Sequence, residues 1–229
     1  MDEVRKLVVR TPYGEPSGPL SCGRIFGIPV LFLARHGYGH TIPPHRVNYR
    51  ANVWAMNVEG AERIISVASV GGIQANLHPG ALLVPDQLLD YTWGRDQTYF
   101  ENERPVTHID FTRPYDETLR QHILRAAANL GQQITDGGVY AVTQGPRLET
   151  AAEVDRLERD GAHVVGMTGM PEAALAKELG VAFASLCVVV NHAAGRGESR
   201  KAIQLQGIET VLTGSMGRVR RIIEEVVRK

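Results

Sequence analysis

The sequence predicts an α/β fold: a single domain with a mixed central β-sheet flanked by helices. Three observations predict it. Strand-like and helix-like segments alternate along the chain, the order that lays helices over a sheet. Residues 181–190 are almost wholly apolar, as for a strand buried on both faces. Residues 115–130 carry Leu119, Ile123, Ala126 and Leu130 at helical spacing, with Gly131 behind them, which marks an amphipathic helix and its stop.

The other elements follow in order. Residues 7–9 are short and β-branched, and residues 24–34 read as two strands joined at Gly27-Ile28-Pro29. Asn48 caps a helix over 49–58 that Gly60 ends. Residues 63–70 form a buried strand running into Gly71-Gly72. Residues 81–89 read as one strand, although Pro85 disfavours a central ladder position there. Residues 139–143 form a strand, 149–159 a helix and 164–167 a short strand. Pro171 suits the first position of a helix over 172–179, ended by Gly180. A last helix covers 207–227.

The length, 229 residues, suits one domain spanning residues 1–229, and no repeat or low-complexity tract divides it. Lys+Arg and Asp+Glu are both 25, so nothing draws the chain to nucleic acid or an anionic membrane. The cysteines, Cys22 and Cys187, lie far apart and have no metal-ligand spacing. No apolar run reaches membrane-spanning length and no signal-peptide core opens the chain. A cytoplasmic protein is expected.

In sheets of this kind ligands gather beyond the carboxyl ends of strands, so the polar segments that follow the strands are where chemistry is sought. Arg35-His36-Gly37 offers a planar donor fork and an imidazole to an anion; the bland alternative is a solvated strand end. His36, His40 and His45 are kept from helical alignment by Gly37, Gly39, Pro43 and Pro44, and no metal site is expected. Ser69-Val70-Gly71-Gly72 lets backbone approach an anion, or is a plain turn. Thr168 offers a hydroxyl near a helix start, or merely caps it. Asn191, straight after an apolar strand, is a part-buried amide in need of partners, or a turn residue.

Jointly, five stretches resemble the trimeric purine nucleoside phosphorylase and methylthioadenosine phosphorylase family. They are Thr11-Pro12-Tyr13-Gly14, Leu33-Ala34-Arg35-His36-Gly37, Val47-Asn48-Tyr49-Arg50-Ala51-Asn52-Val53-Trp54-Ala55, Gly145-Pro146-Arg147-Leu148-Glu149-Thr150 and Gly166-Met167-Thr168-Gly169-Met170-Pro171-Glu172. Order and spacing fit from about residue 11 to 227. Within the family the likeness is strongest to its bacterial methylthioinosine-cleaving members. The resemblance implies a phosphate site of Arg35, His36 and Thr168 with backbone around Ala68 and Ser69. It implies Met167 along the ribose, and Leu148, Glu149 and Asn191 around the base. His108 matches a histidine lent to the neighbouring subunit's site, and Ile208 stands where inosine-cleaving relatives place a histidine for the 5′-hydroxyl. A homotrimer is implied, with phosphate as co-substrate and no cofactor.

Those placements carry a choice of base. A 6-oxopurine presents an O6 acceptor and an N1–H donor, which Asn191 and Glu149 complement. Adenine would set its N1 acceptor against the Glu149 carboxylate, costing roughly 1–3 kcal/mol. Adenosine-type relatives resemble the chain but carry Asp at the place of Asn191 and a small residue at that of Glu149. Aliphatic Ile208 favours a methylthio group. The expected reaction is phosphorolysis of 5′-methylthioinosine, catalysed through Asn191 and His36. The alternatives are a general inosine/guanosine phosphorylase, a methylthioadenosine phosphorylase, a nucleosidase or a non-catalytic purine-binding relative. The family normally opens with a strand ending in Gly-Gly-Thr-Gly or Gly-Gly-Ser-Gly, whose hydroxyl grips phosphate. This sequence has no such loop. Either the start is truncated, or the protein lacks a central strand and a phosphate-binding hydroxyl, with weaker phosphate binding, an exposed sheet edge or lost activity as consequences.

Overall fold

The computed structural model describes residues 1–228. Strands β1 (Asp2–Leu7), β2 (Leu20–Ile25) and β3 (Ile28–Phe32) form a small antiparallel sheet in that order. Helix α1 (Tyr49–Val58) follows; the Asn48 side chain accepts from the Ala51 N–H, and Gly60 turns the chain away at φ +86°. The main sheet contains β4 (Arg63–Gly72), β5 (Leu82–Val84), β6 (Gln87–Asp90), β7 (Thr135–Asp136), β8 (Val139–Val142), β9 (Val164–Gly166) and β10 (Ala182–His192). Between them lie α2 (Glu117–Asn129), α3 (Ala151–Arg159) and α4 (Glu172–Glu178), and α5 (Leu205–Val227) closes the described chain.

The sheet order is β6-β8-β9-β4-β10-β5-β7. Its spine is β10, paired in parallel with β4 along both strands. The period of two along β10 builds two cores at once. Ala184, Leu186, Val188 and Val190 pack with Leu119 and Ile123 of α2 and Val219 and Ile222 of α5. Phe183, Cys187 and Val189 face the other way, with Val53 of α1 and Leu175 of α4. Residues 183–190 are accordingly buried without interruption.

Three expectations are corrected. Residues 81–89 are two strands, β5 and β6, broken at Pro85-Asp86. β5 pairs with β10 and β7, whereas β6 pairs with β8 at the opposite margin. Gly137-Gly138 breaks β7 from β8 at the matching place, and the Asp86 N–H donates to the Gly138 carbonyl at 3.2 Å. The sheet thus curls until its two margins meet. Pro171 is the N-cap of α4 and not its first helical residue. α3 begins at Ala151, because Thr150 and Glu153 form a reciprocal capping box.

No described strand lies between β3 and β4. β3 pairs through one edge, with β2. β4 pairs with β9 only at Gly71 and Gly72. The remaining edge of β4, the free edge of β3 and the apolar face of α5 line one cleft of about 2170 Å³.

Asp116 caps α2, accepting from the Leu119 N–H at 2.7 Å, and does not line the cleft. Asp116→Ala is expected to cost about 1 kcal/mol of stability. A lower urea midpoint with unchanged slope checks this.

Candidate active site

The sequence reading looks for ligand loops beyond a common set of strand ends. The structure gathers them elsewhere. β9 runs antiparallel to β4, with Gly71 opposite Val165 and Gly72 opposite Val164. β8 runs parallel to β9, so both point back along β4. The segments after β8 and β9 therefore fold over the middle of β4, beside its unpaired edge. Arg35, His36, Ala68, Ser69, Leu148, Glu149, Met167, Thr168, Asn191 and Ile208 all line the one cleft. His108 does not; it lies on an exposed stretch of the chain.

Arg35 lies between β3 and the middle of β4. Its guanidinium donates to both carboxylate oxygens of Glu172, to the Ser66 hydroxyl at 2.5 Å and to the Val67 carbonyl at 3.3 Å. Ser66 in turn donates to Glu172 at 2.8 Å. Burial works against the Arg35 charge, but the carboxylate of Glu172 more than offsets it, so the guanidinium is held above its usual range. Glu172 enters on the first turn of α4 and is buried. Sequence reasoning quoted it only as part of a motif. Its pairing with Arg35, 137 positions away, has no local signal.

His36 is half-buried, and its Nδ1 lies 2.8 Å from the Ile42 carbonyl. A carbonyl only accepts, so Nδ1 carries the proton and Nε2 of the neutral ring is left as an acceptor. Burial, with help from Arg35 and His40, pushes the imidazole pKa below its ordinary 6.5, against the pull of the Ile42 carbonyl and Glu172. The His40 ring sits 4.4 Å away.

Thr168 is buried, and α4 has no side-chain cap, so its hydroxyl is not spent on the helix end. Its N–H donates to the Tyr140 hydroxyl at 3.3 Å. Burial raises the Tyr140 pKa to about 12, which keeps that phenol protonated. Met167 packs against Gly145, whose φ is +61° and where an added Cβ would collide with the Met167 sulfur and with Pro44. Only glycine suits that point.

The Thr143 hydroxyl donates to Glu149 at 2.5 Å, leaving the other carboxylate oxygen without a hydrogen-bond partner among the described residues. Asn191 is the penultimate residue of β10, and its Nδ2 donates to the His192 carbonyl at 2.6 Å. That leaves its carbonyl oxygen and its second N–H without a partner among the described residues. Ile208 lies on the first turn of α5 and packs beside Leu212 and Met216. Among the described residues, no three His, Cys, Asp or Glu side chains converge as a metal-ligand group, and no helix is long and apolar enough to cross a membrane.

The cleft thus brings together a cation–carboxylate pair, an acceptor imidazole, a threonine hydroxyl, a carboxylate and an amide. The profile of the Phosphorylase superfamily matches residues 1–228. A protein of Pseudomonas syringae pv. tomato named probable S-methyl-5′-thioinosine phosphorylase is 51% identical over 224 residues, 97% of this chain and 90% of that one. A 6-oxopurine nucleoside phosphorylase of Pyrococcus furiosus is 44% identical over 197 residues, 83% of this chain and 74% of that one. The methylthioadenosine phosphorylase of Schistosoma mansoni in complex with adenine superposes with a TM-score of 0.93 at 32% identity, covering 100% of this chain and 86% of that one.

Breaking the Arg35–Glu172 pair from either side leaves an unpaired buried charge. Arg35→Met and Glu172→Met are each expected to cost about 3 kcal/mol, and the double variant less than either. Urea unfolding of the four proteins checks this. His36 generates a pH dependence. Its folded pKa lies below the unfolded value, so the unfolded state binds more protons in the window between them. The stability is complete above 6.5 and is lost as pH falls through that window. His36→Gln should flatten this slope in melting temperature against pH.

Proposed function

This chain belongs to the phosphorylase superfamily, and we propose that it cleaves a 6-oxopurine nucleoside with phosphate, S-methyl-5′-thioinosine being the favoured substrate. The observation that carries the reading is the convergence of Glu149 and Asn191 on the same cleft as Arg35, His36 and Thr168. The groups read as a base site and those read as an anion site share one solvent-reachable space.

The base is read by donor and acceptor order. Thr143 holds Glu149 so that a carboxylate oxygen accepts N1–H, and Asn191 serves O6 and N7. Adenine would leave acceptors facing one another. Ile208, Leu212 and Met216 give the 5′ end an apolar wall, which suits a methylthio group. A 5′-hydroxyl there would lose a hydrogen bond.

Phosphate oxygen attacks C1′ as the bond to N9 breaks, and the bonding electrons leave with the purine. Hydrogen phosphate carries one P–OH, and Nε2 of His36 is the acceptor placed for it. Arg35 and Thr168 hold the remaining oxygens near the positive charge that builds on the ribose. The purine gains a proton at N7, where the Asn191 carbonyl oxygen accepts the new N–H. The proton lost by the phosphate balances the one gained by the base. The products are hypoxanthine and S-methyl-5-thioribose 1-phosphate. No cofactor beyond phosphate enters.

The same reading assigns the protein to purine and methylthio salvage in the cytoplasm as a homotrimer. Val106, two residues from His108, is 71% exposed, and a subunit contact there would cover it. In that assembly His108 serves the neighbouring cleft.

The test is base release from S-methyl-5′-thioinosine, inosine and S-methyl-5′-thioadenosine, each with and without phosphate. Phosphate-dependent hypoxanthine release, fastest from the methylthio nucleoside, is expected. Release without phosphate would make the protein a nucleosidase, and equal rates on inosine would remove the role given to Ile208. Asn191→Ala should lower kcat about a hundredfold with the phosphate KM nearly unchanged.

A further inference from the structure

We infer that Arg95 is a positioning residue that locks the base-side loop to the ribose- and phosphate-side loop. The inference rests on the phosphorolysis reading for its kinetic consequence, and on geometry for its structural one. Arg95 is 9% exposed and has no salt-bridge partner among the described residues. Instead its guanidinium meets six neutral acceptors. Nε donates to Gln144 Oε1 at 3.1 Å. One terminal nitrogen donates to the Met167 carbonyl at 2.9 Å, the Met170 carbonyl at 2.6 Å and the Tyr49 hydroxyl at 3.2 Å. The other donates to the carbonyls of Thr143 at 3.3 Å and Gln144 at 2.9 Å. The guanidinium also lies 5.2 Å from the centre of the Tyr49 ring.

This wiring is unusual for a cation. A buried charge normally sits against a carboxylate. Here burial pushes the Arg95 pKa down from its ordinary value, and backbone dipoles stabilise the charge. Those dipoles come from two segments only, 143–144 after β8 and 167–170 after β9. The first leads into Leu148 and Glu149. The second carries Met167 and Thr168. Both are short loops whose own strands end at Val142 and Gly166, and the planar fork fixes one against the other in distance and angle. Lysine could keep the charge, but a point cation cannot span both loops. Arg95 touches no atom proposed to react, so its effect runs through the spacing between nucleoside and phosphate. A misplacement of about 1 Å in that spacing can cost about a hundredfold in rate.

The experiment compares wild type, Arg95→Lys and Gln144→Ala at a temperature well below each melting point. It follows amide hydrogen exchange peptide by peptide, and kcat with S-methyl-5′-thioinosine. Gln144→Ala removes one acceptor and leaves the cation with the other five, so it keeps a folded variant in hand. Arg95→Lys is expected to speed exchange about tenfold in 143–149 and 166–171 together, with the rest of the sheet unchanged. It should lower kcat about a hundredfold with a near-normal phosphate KM. Gln144→Ala should move both quantities in the same direction by less. Exchange that rises uniformly, or in one loop alone, or a wild-type kcat per folded molecule for Arg95→Lys, would overturn the inference. Wild type without phosphorolysis, but with the paired loosening in the variant, would sink the proposed function and leave the lock standing.

Discussion

Everything about the cleft depends on how little β4 and β9 touch. Their ladder is confined to Gly71 and Gly72, and it is antiparallel within a sheet whose spine is parallel. A Cβ on Gly72 would run into the Leu77 carbonyl, and one on Gly71 would come within 3.3 Å of the Ala193 backbone. The glycines let three segments of backbone close on one another there. Because the contact is so short, β9 leaves β4 at once, and the middle of β4 keeps a free edge. Because it is antiparallel, the loops after β8 and β9 return over that edge. A parallel ladder would send Met167 and Thr168 away from Ser66 and Ala68, and a longer antiparallel one would cover the free edge itself.

The electrostatics of the anion end follow from the same placement. Arg35 and Glu172 neutralise each other, and His36 is driven toward its neutral form by burial. The resting site therefore carries little net charge, despite a largely buried arginine. Such a pair avoids the large cost of an isolated buried ion. Under the proposed function a phosphate there would be held by oriented donors more than by a bare positive field, the arrangement suited to charge that develops during a reaction.

In the proposed reading, discrimination of the base rests on partners that are themselves constrained. Thr143 directs one oxygen of Glu149, and the His192 carbonyl engages one N–H of Asn191. Each ligand-facing group thus has a preset orientation before a ligand arrives, which lowers the ordering cost of binding. The segments that carry these groups are short and spring from buried strands. Their geometry is inherited from the core more than from the loops themselves.

What the sequence determined by itself had a short-range cause. Asn48 and Gly60 bracket α1, Gly131 follows α2, and the apolar run of β10 announces a strand buried on both faces. Caps, periodicity and composition act over a few residues and are legible there. Arg35, His36, Thr168, Glu149 and Asn191 were legible as segments in order, and the resemblance to a family drew them together. The tertiary structure alone decided that residues 81–89 belong to two margins of one curled sheet. It alone decided that β9 opposes β4, and that Glu172, Thr143 and Arg95 orient the groups around them. Strand direction and the partner of a buried charge are settled by contacts across more than a hundred residues, as between Arg35 and Glu172. No local propensity encodes such a choice; it is fixed only when the core packs and each buried polar group must find its partner.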